Sequence, residues 1–350
     1  MSGTYSAFGL LQIGKNGTQK EELIMLKIST APHMQTRYDT SKIMLDVVFA
    51  MLPATMVSLI FFGLPALMVI VTSVAACCGF EYFANRFWFK KGNTTTDFSA
   101  IVTGMLLAFN LPSSMPLWMV VVGAFVAIVI GKLCYGGLGK NIFNPALVGR
   151  VFLFISFPVQ MTNWPKPEFL KFLSTDAQTG ATTLGIIKHI DSQTSATMLV
   201  SELPSYWQMF VGDIGGCLGE VSALALLLGL AYMLYRRVIT WHIPVYYIAS
   251  FFAFSLVMWL ATGNVQYEPL TNILSGGLML GAIFMATDYT TSPMTLKGRI
   301  LFAVCCGILT GIIRFFSAYP EGVSFAILIM NAFVPLIDKF IKPSFYGQRR

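Results

Sequence analysis

The residues best placed to do chemistry lie in one stretch, Asp176-Ala-Gln-Thr179-Gly180-Ala181-Thr182-Thr, inside the one long polar interruption of the chain, roughly Met161 to Ser205. Thr182 stands just before Leu184-Gly-Ile-Ile-Lys188 and reads as the start of a short helix. Free N–H groups at a helix N-terminus favour a phosphate, and Lys188 is near enough in sequence to assist. A threonine there is also an ordinary N-cap. The string Thr179-Gly180-Ala181-Thr182 does not by itself separate the two readings.

Other candidates are scattered through apolar runs. Ionisable groups inside a membrane cost several kcal/mol and usually mark a pathway or a partner. Here they are Asp46, Glu81, Asp97, Arg150, Asp213, Glu220, Asp288, Arg314 and Asp338. Most lie within a turn or two of a run's end, where a side chain reaches the interface. Glu220 lies deeper, behind Gly212, Gly215, Gly216 and Gly219, which would admit another backbone. It is either an acid on an ion path or the salt-bridge partner of Arg150 or Arg314. Asn110, Asn144 and Asn331 could coordinate a cation or a flavin edge, or hydrogen-bond across helices. The six cysteines form no C-x-x-C pair and read as small packing residues. His33, His189 and His242 fall outside the apolar runs, which counts against haem. Walker A, G-x-G-x-x-G and H-E-x-x-H motifs are missing, so ATP hydrolysis, dinucleotide binding and metalloprotease chemistry lack support.

The elements that must position these residues follow from composition. Hydrophobic residues make up 55% of the 350 and charged ones 11%, against about 25% charged in soluble proteins. The chain reads as an all-α polytopic membrane protein. A span needs about 20 mostly apolar residues, and ten candidates appear: Ile43–Phe62, Leu64–Tyr82, Phe98–Leu111, Leu117–Leu133, Ile142–Phe157, Ile214–Tyr235, Ile243–Ala261, Leu270–Ala286, Ile300–Phe316 and Val323–Leu336. The chain then divides into an N-terminal segment 1–42, five spans over 43–158, an outer loop 159–212, five spans over 213–340 and a tail 341–350. Residues 1–40 are polar, so no cleavable signal peptide is expected.

Cytoplasmic loops carry the excess of Lys and Arg. With the N-terminus inside, Arg37 and Lys42, then Arg86, Lys90 and Lys91, Lys132 and Lys140, Arg236 and Arg237, Lys297 and Arg299, and the tail all fall on the cytoplasmic side. That placement, rather than nucleic acid, accounts for the net charge of +7. The polar loop 159–212 falls outside. The stretches around Gly104 and Gly277 are alike in hydropathy, and each set of five spans closes on an asparagine, Asn144 and Asn331. Repeats of five spans run antiparallel, the arrangement of inverted-repeat transporters.

Asp176-x-x-Thr179-Gly180-Ala181-Thr182 matches the D-x-x-[ST]-G-A-T flavinylation motif of the RnfD/NqrB family, and Gly139-Lys-Asn-Ile-Phe-Asn-Pro-Ala-Leu-Val-Gly-Arg150 resembles the family's signature before that loop. The resemblance covers about residues 40–340. Without the longer N-terminal extension of NqrB, the chain is more similar to the RnfD branch. The resemblance implies an inverted five-plus-five repeat like that of urea transporters, and an FMN esterified through its phosphate to Thr182. Asp176, Thr179, Gly180 and Ala181 would complete the motif. NqrB relatives also hold a non-covalent flavin, which extends to an expected second flavin with no residue assigned. The ion path would run between the repeats near Asn144, Asn331 and Glu220.

The resemblance also implies a complex passing electrons between ferredoxin and NAD, coupled to Na⁺ or H⁺ movement. The chain would be a translocase subunit, inactive alone and with no catalytic residue or metal of its own. Its partners would be the A, B, C, E and above all G subunits of that complex, with a flavin transferase for maturation. It would sit in a bacterial inner membrane, termini cytoplasmic and flavin loop periplasmic. A cofactor-free secondary transporter or channel is the alternative, with Thr182 dispensable; a structural scaffold is a third reading.

Overall fold

The computed structural model describes residues 39–88, 95–165, 167, 180, 182–190, 204–317 and 321–342. Asp39 opens the first helix, its carboxylate accepting the Thr40 N–H at 2.8 Å. The helical segment α1 (Thr40–Phe83) covers 44 residues, enough for two crossings of about 20 residues each. Gly63 breaks it with φ 62° and ψ −140°, a conformation open to glycine. The expected segments Ile43–Phe62 and Leu64–Tyr82 are therefore two helices that meet at the residue between them.

The next elements are shorter: α2 (Ser99–Phe109), α3 (Leu117–Phe125) continuing as the π-helical turn Val126–Leu133, and α4 (Pro145–Ser156). Asn144 caps α4, accepting from the Ala146 and Leu147 N–H groups, and Pro145 fits the first turn, where its missing N–H costs nothing. After the single turn α5 (Pro158–Met161) come α6 (Thr183–Ile190) and α7 (Tyr206–Val211), the latter closed by a Ser205–Gln208 capping box.

The expected span Ile214–Tyr235 needs correction. It is helical only as α8 (Ala223–Tyr235), capped by Ser222. The glycine-rich residues 212–222 run as irregular backbone against the end of α2, with Leu218 N–H bonded to Leu111 O (3.1 Å) and Gly219 N–H to Phe109 O (2.9 Å). Irregular backbone at membrane depth survives only where protein satisfies it, and these residues are mostly buried. After α9 (His242–Thr262), the run Leu270–Ala286 is likewise split into α10 (Pro269–Leu274) and α11 (Leu278–Leu280), the latter passing into the π-turn Gly281–Met285. Gly276, at φ 70°, makes the break. The last two helices are α12 (Leu296–Phe316) and α13 (Val323–Phe340).

Among the described residues four helices are long and apolar enough to cross a membrane, Thr40–Trp88, His242–Thr262, Leu296–Phe316 and Val323–Phe340, and four apolar ones are shorter. No extended strand occurs among the described residues. The molecule is a polytopic helical membrane protein. α9 and α12 cross closely at Gly307, where a β-carbon would lie 2.7 Å from Tyr247 O and 2.9 Å from Phe251 N. Without a hydrophobic force between helices in lipid, such small-residue contacts hold them together. Gly307→Val is expected to destabilise the protein by about 1–3 kcal/mol through overpacking, seen as a lower unfolding midpoint in detergent.

Two ends of the molecule are set apart by their bonds. At one, Arg236 pairs with Asp46 (3.2 Å), Arg299 reaches Thr240 (3.4 Å) and Asp338 accepts from Met294 N–H (3.2 Å). At the other, Lys188 of α6 donates to Ser317 O, and Tyr206 of α7 to Glu268.

Candidate functional site

Thr182 is the N-cap of α6: its Oγ1 accepts the Gly185 N–H at 3.0 Å. The stretch of chain leading to it is anchored by Gly180 N–H on Trp164 O (2.9 Å). Leu184 and Ile187 are buried and pin α6 to the membrane core. Leu184 lies so close to Gly276 that a β-carbon there would sit 2.5 Å from it. Lys188 lies on the same helix, partly buried, and loss of hydration lowers its pKa. The capping reading and the phosphate-accepting reading thus describe the same atom in the same place. Asp176, Thr179 and Ala181 fall outside the described residues, so of the motif the structure places Gly180 and Thr182.

Thr182 lines a small pocket with Thr183, Gly215, Gly216, Glu220 and Glu321. Its floor is a buried ionic cluster. Arg150 of α4 binds Glu321 and the Ser324 hydroxyl directly, and its Nη2 stands 3.5 Å from Glu220 Oε1. Glu220 Oε1 is in ion-pair range there, yet buried and without a hydrogen-bond donor. It lies against Gly277, where a β-carbon would be 2.6 Å away, so the helix break makes room for the acid. Cys217 Sγ is 3.3 Å from Asn110 O and 3.8 Å from Arg150 Nη2. Cys217, Glu220 and Glu321 are close enough to share a cation, but the Arg150 guanidinium already stands among them.

Glu220 therefore meets Arg150, one of its two expected partners, in a buried turn rather than inside a helix. Arg314 of α12 takes a different role. It donates to Asn272 O (2.5 Å), sits over the Phe251 ring (5.0 Å), and leaves its Nε and Nη2 without hydrogen bonds.

Asn144 and Asn331 come together at a separate place. With the Asn331 amide oriented to satisfy its surroundings, its oxygen accepts the Asn144 N–H (3.2 Å) and its nitrogen donates to Thr291 O (3.2 Å). Asn144 Nδ2 also donates to Met285 O (3.2 Å). Asn144 lines a larger pocket with Lys132, Asp288, Ser99 and Thr103. Of the three residues expected on one ion path, Asn144 and Asn331 thus meet at one place and Glu220 lies at another.

Two further expectations are corrected. Lys132, expected in a cytoplasmic loop, is 2% exposed in the π-turn after α3. Glu81, expected near an interface, is its partner: Lys132 Nζ lies 3.0 and 2.8 Å from the two Glu81 oxygens and 2.6 Å from Ser99 Oγ. Sequence reading also missed Glu321, which sits in a short loop before α13 with nothing local to mark it. The one signal for its partner was Arg150 at the end of the Asn144–Arg150 stretch.

Interrupted helices enclosing buried polar sites recur in helical membrane transport proteins. The sequence narrows that class. The chain belongs to the NQR2, RnfD, RnfE family, whose model matches residues 27–347. It is 43% identical over 324 residues to the D subunit of the Na(+)-translocating ferredoxin:NAD(+) oxidoreductase complex of Acetobacterium woodii, covering 92% of this chain and 95% of that one. It is equally similar, 43% over 323 residues, to the D subunit of the proton-translocating ferredoxin:NAD(+) oxidoreductase complex of Clostridium ljungdahlii, covering 92% and 96%. The D subunit of an ion-translocating oxidoreductase complex of Erwinia tasmaniensis is 38% identical over 351 residues, covering 93% and 99%.

Proposed function

We propose that this chain is the flavin-bearing membrane subunit of an ion-translocating complex that couples ferredoxin:NAD electron transfer to ion movement. Relatives matched over nearly their whole length carry that activity in their names. The observation that carries the flavin assignment is Thr182, an N-cap hydroxyl lining a pocket, in a sequence matching a flavinylation motif. Thr182 Oγ1 would form the phosphoester to FMN, and the α6 N-terminus would hold a phosphoryl oxygen through the Gly185 N–H. Leu184 and Ile187 would keep that attachment point fixed on the membrane core. The bound FMN would supply one-electron transfer.

The same reading takes ten crossings in two inverted sets of five, supported by the Gly63 break in α1 and by the contact of Asn144 with Asn331. It takes the end holding Arg236, Arg299 and Asp338 as cytoplasmic and the α6–α7 end as periplasmic, in a bacterial inner membrane, following the Lys and Arg bias. The A, B, C, E and G subunits would be its partners, G nearest the flavin, with a transferase attaching the FMN. The two pockets, one lined by Asn144 and one by Glu220, are the candidate stations of the ion. A second, non-covalent flavin belongs to this reading with no residue assigned to it.

In-gel flavin fluorescence of the denatured chain, co-expressed with a flavin transferase, tests the assignment. Wild type is expected to fluoresce and Thr182→Ala to be dark. The lost cap costs about 1 kcal/mol, too little to stop insertion, so the dark chain should still be found in the membrane. No fluorescence in either would leave the cofactor-free transporter as the better account.

A further inference from the structure

Arg314 of α12 is 3% exposed, and its contacts use only part of the guanidinium. Nη1 donates to Asn272 O of α10 (2.5 Å), and one face covers the Phe251 ring at 5.0 Å. Nε and Nη2 are buried and make no hydrogen bond among the described residues. These two nitrogens form one edge of the guanidinium, along which two N–H bonds run parallel, the fork that grips an anion. The acids that reach Arg314 through space are Glu321 and Glu220. Both are engaged by Arg150, and neither bonds to Arg314 among the described residues. A buried charge whose donors go unanswered is costly out of water.

Arg314 lines a small pocket with Lys188 of α6. Gln266 and Asn272 supply the remaining polar lining, and no acid lines it among the described residues. Lys188 donates to Ser317 O, and an ammonium has donors for more than one acceptor. Two cations on one pocket oppose each other. Water there would answer the N–H groups and leave the repulsion, whereas an anion answers both. The pocket takes a body of about water's size, which suits a monatomic anion and is too small for phosphate. Gln266 Oε1 is buried without a donor; turned over, as the assignment of an amide permits, the group offers N–H instead.

We propose that the Nε–Nη2 edge of Arg314 and the ammonium of Lys188 bind one chloride ion, which ties α6 to α12. The two elements already meet at Gly276, where a β-carbon would lie 2.5 Å from Leu184 and 3.3 Å from Arg314 Nη2. The site stands on these contacts and not on the flavin reading. Under that reading the anion lies beneath the helix that carries the attachment threonine.

Equilibrium dialysis of the purified full-length chain against radiolabelled chloride, in a sodium gluconate background of constant ionic strength, reads the site directly. Wild type is expected to bind one chloride per chain, saturably. Arg314→Gln should bind none. Lys188→Gln should bind at least about tenfold more weakly, the loss of one charge-assisted hydrogen bond. Lys188 is only partly buried, so this variant keeps its fold and decides the matter if Arg314→Gln is not recovered from the membrane. The unfolding midpoint of wild type in detergent should also be higher in chloride than in gluconate, since a ligand of the folded state stabilises it, and that gap should shrink in Lys188→Gln. No saturable chloride in wild type, the result if water or a carboxylate fills the pocket, overturns the site. Chloride bound as tightly by Lys188→Gln as by wild type puts the ion elsewhere on this basic chain and overturns it too.

Discussion

Replacing Lys132 with methionine is expected to be among the most damaging single changes in the chain. Its ammonium contacts both oxygens of Glu81 and the hydroxyl of Ser99, and the ion pair is 2% and 1% exposed. Methionine fills much the same volume, so the loss is one of charge. Glu81 would be left as a carboxylate out of water with its cation gone, a change that costs about 3–5 kcal/mol. The double variant Lys132→Met with Glu81→Gln removes the stranded charge and should recover most of that loss. A buried ion pair adds little over a neutral pair of similar size, while half of one is costly. Unfolding midpoints and yields from the membrane would read both. A single variant as stable as wild type would mean that water reaches Glu81.

Arg150→Met is expected to have a comparable effect by a different route. Arg150 is the one cation in direct contact with Glu220 and Glu321 among the described residues. Without it two carboxylates face each other, and the cost is again about 3–5 kcal/mol, with repulsion added. Arg150→Lys should recover only part, since a single ammonium cannot reach Ser324, Glu321 and Glu220 at once as a planar fork does. Adding Glu321→Gln to Arg150→Met should restore more stability than the lysine does. The reverse order would mean that charge, rather than fork geometry, decides this site.

Helix positions were legible where apolar runs meet glycine or proline. The break between Phe62 and Leu64 and the start of α4 at Asn144-Pro145 can be read directly, because φ at Gly63 and the proline ring are local causes. Thr182 was legible as a helix start for the same reason. The run from Ile214 to Tyr235 was not. Hydropathy scores a residue's taste for apolar surroundings, and a buried irregular backbone wrapped on α2 shares it with a lipid-facing helix. The glycines at 212, 215, 216 and 219 were the better guide, and they point to backbone contact rather than to a span. Lys132 misled for a related reason. Counting charges by loop ignores a partner 51 positions away, and Glu81 is that partner. Glu321 meets Arg150 across 171 positions. Pairings at such separations are set by how helices pack, which no local pattern carries.

The bond from Gly180 N–H to Trp164 O has an engineering consequence. It ties off the chain on both sides of the segment between those residues, like the neck of a bag. Closing a flexible loop costs only about 0.6 kcal/mol more for each doubling of its length. An epitope spliced into the segment well upstream of the Asp176 motif would therefore leave α6 seated on Gly276. It would report, by antibody access in whole cells or inverted vesicles, which side of the membrane that end occupies.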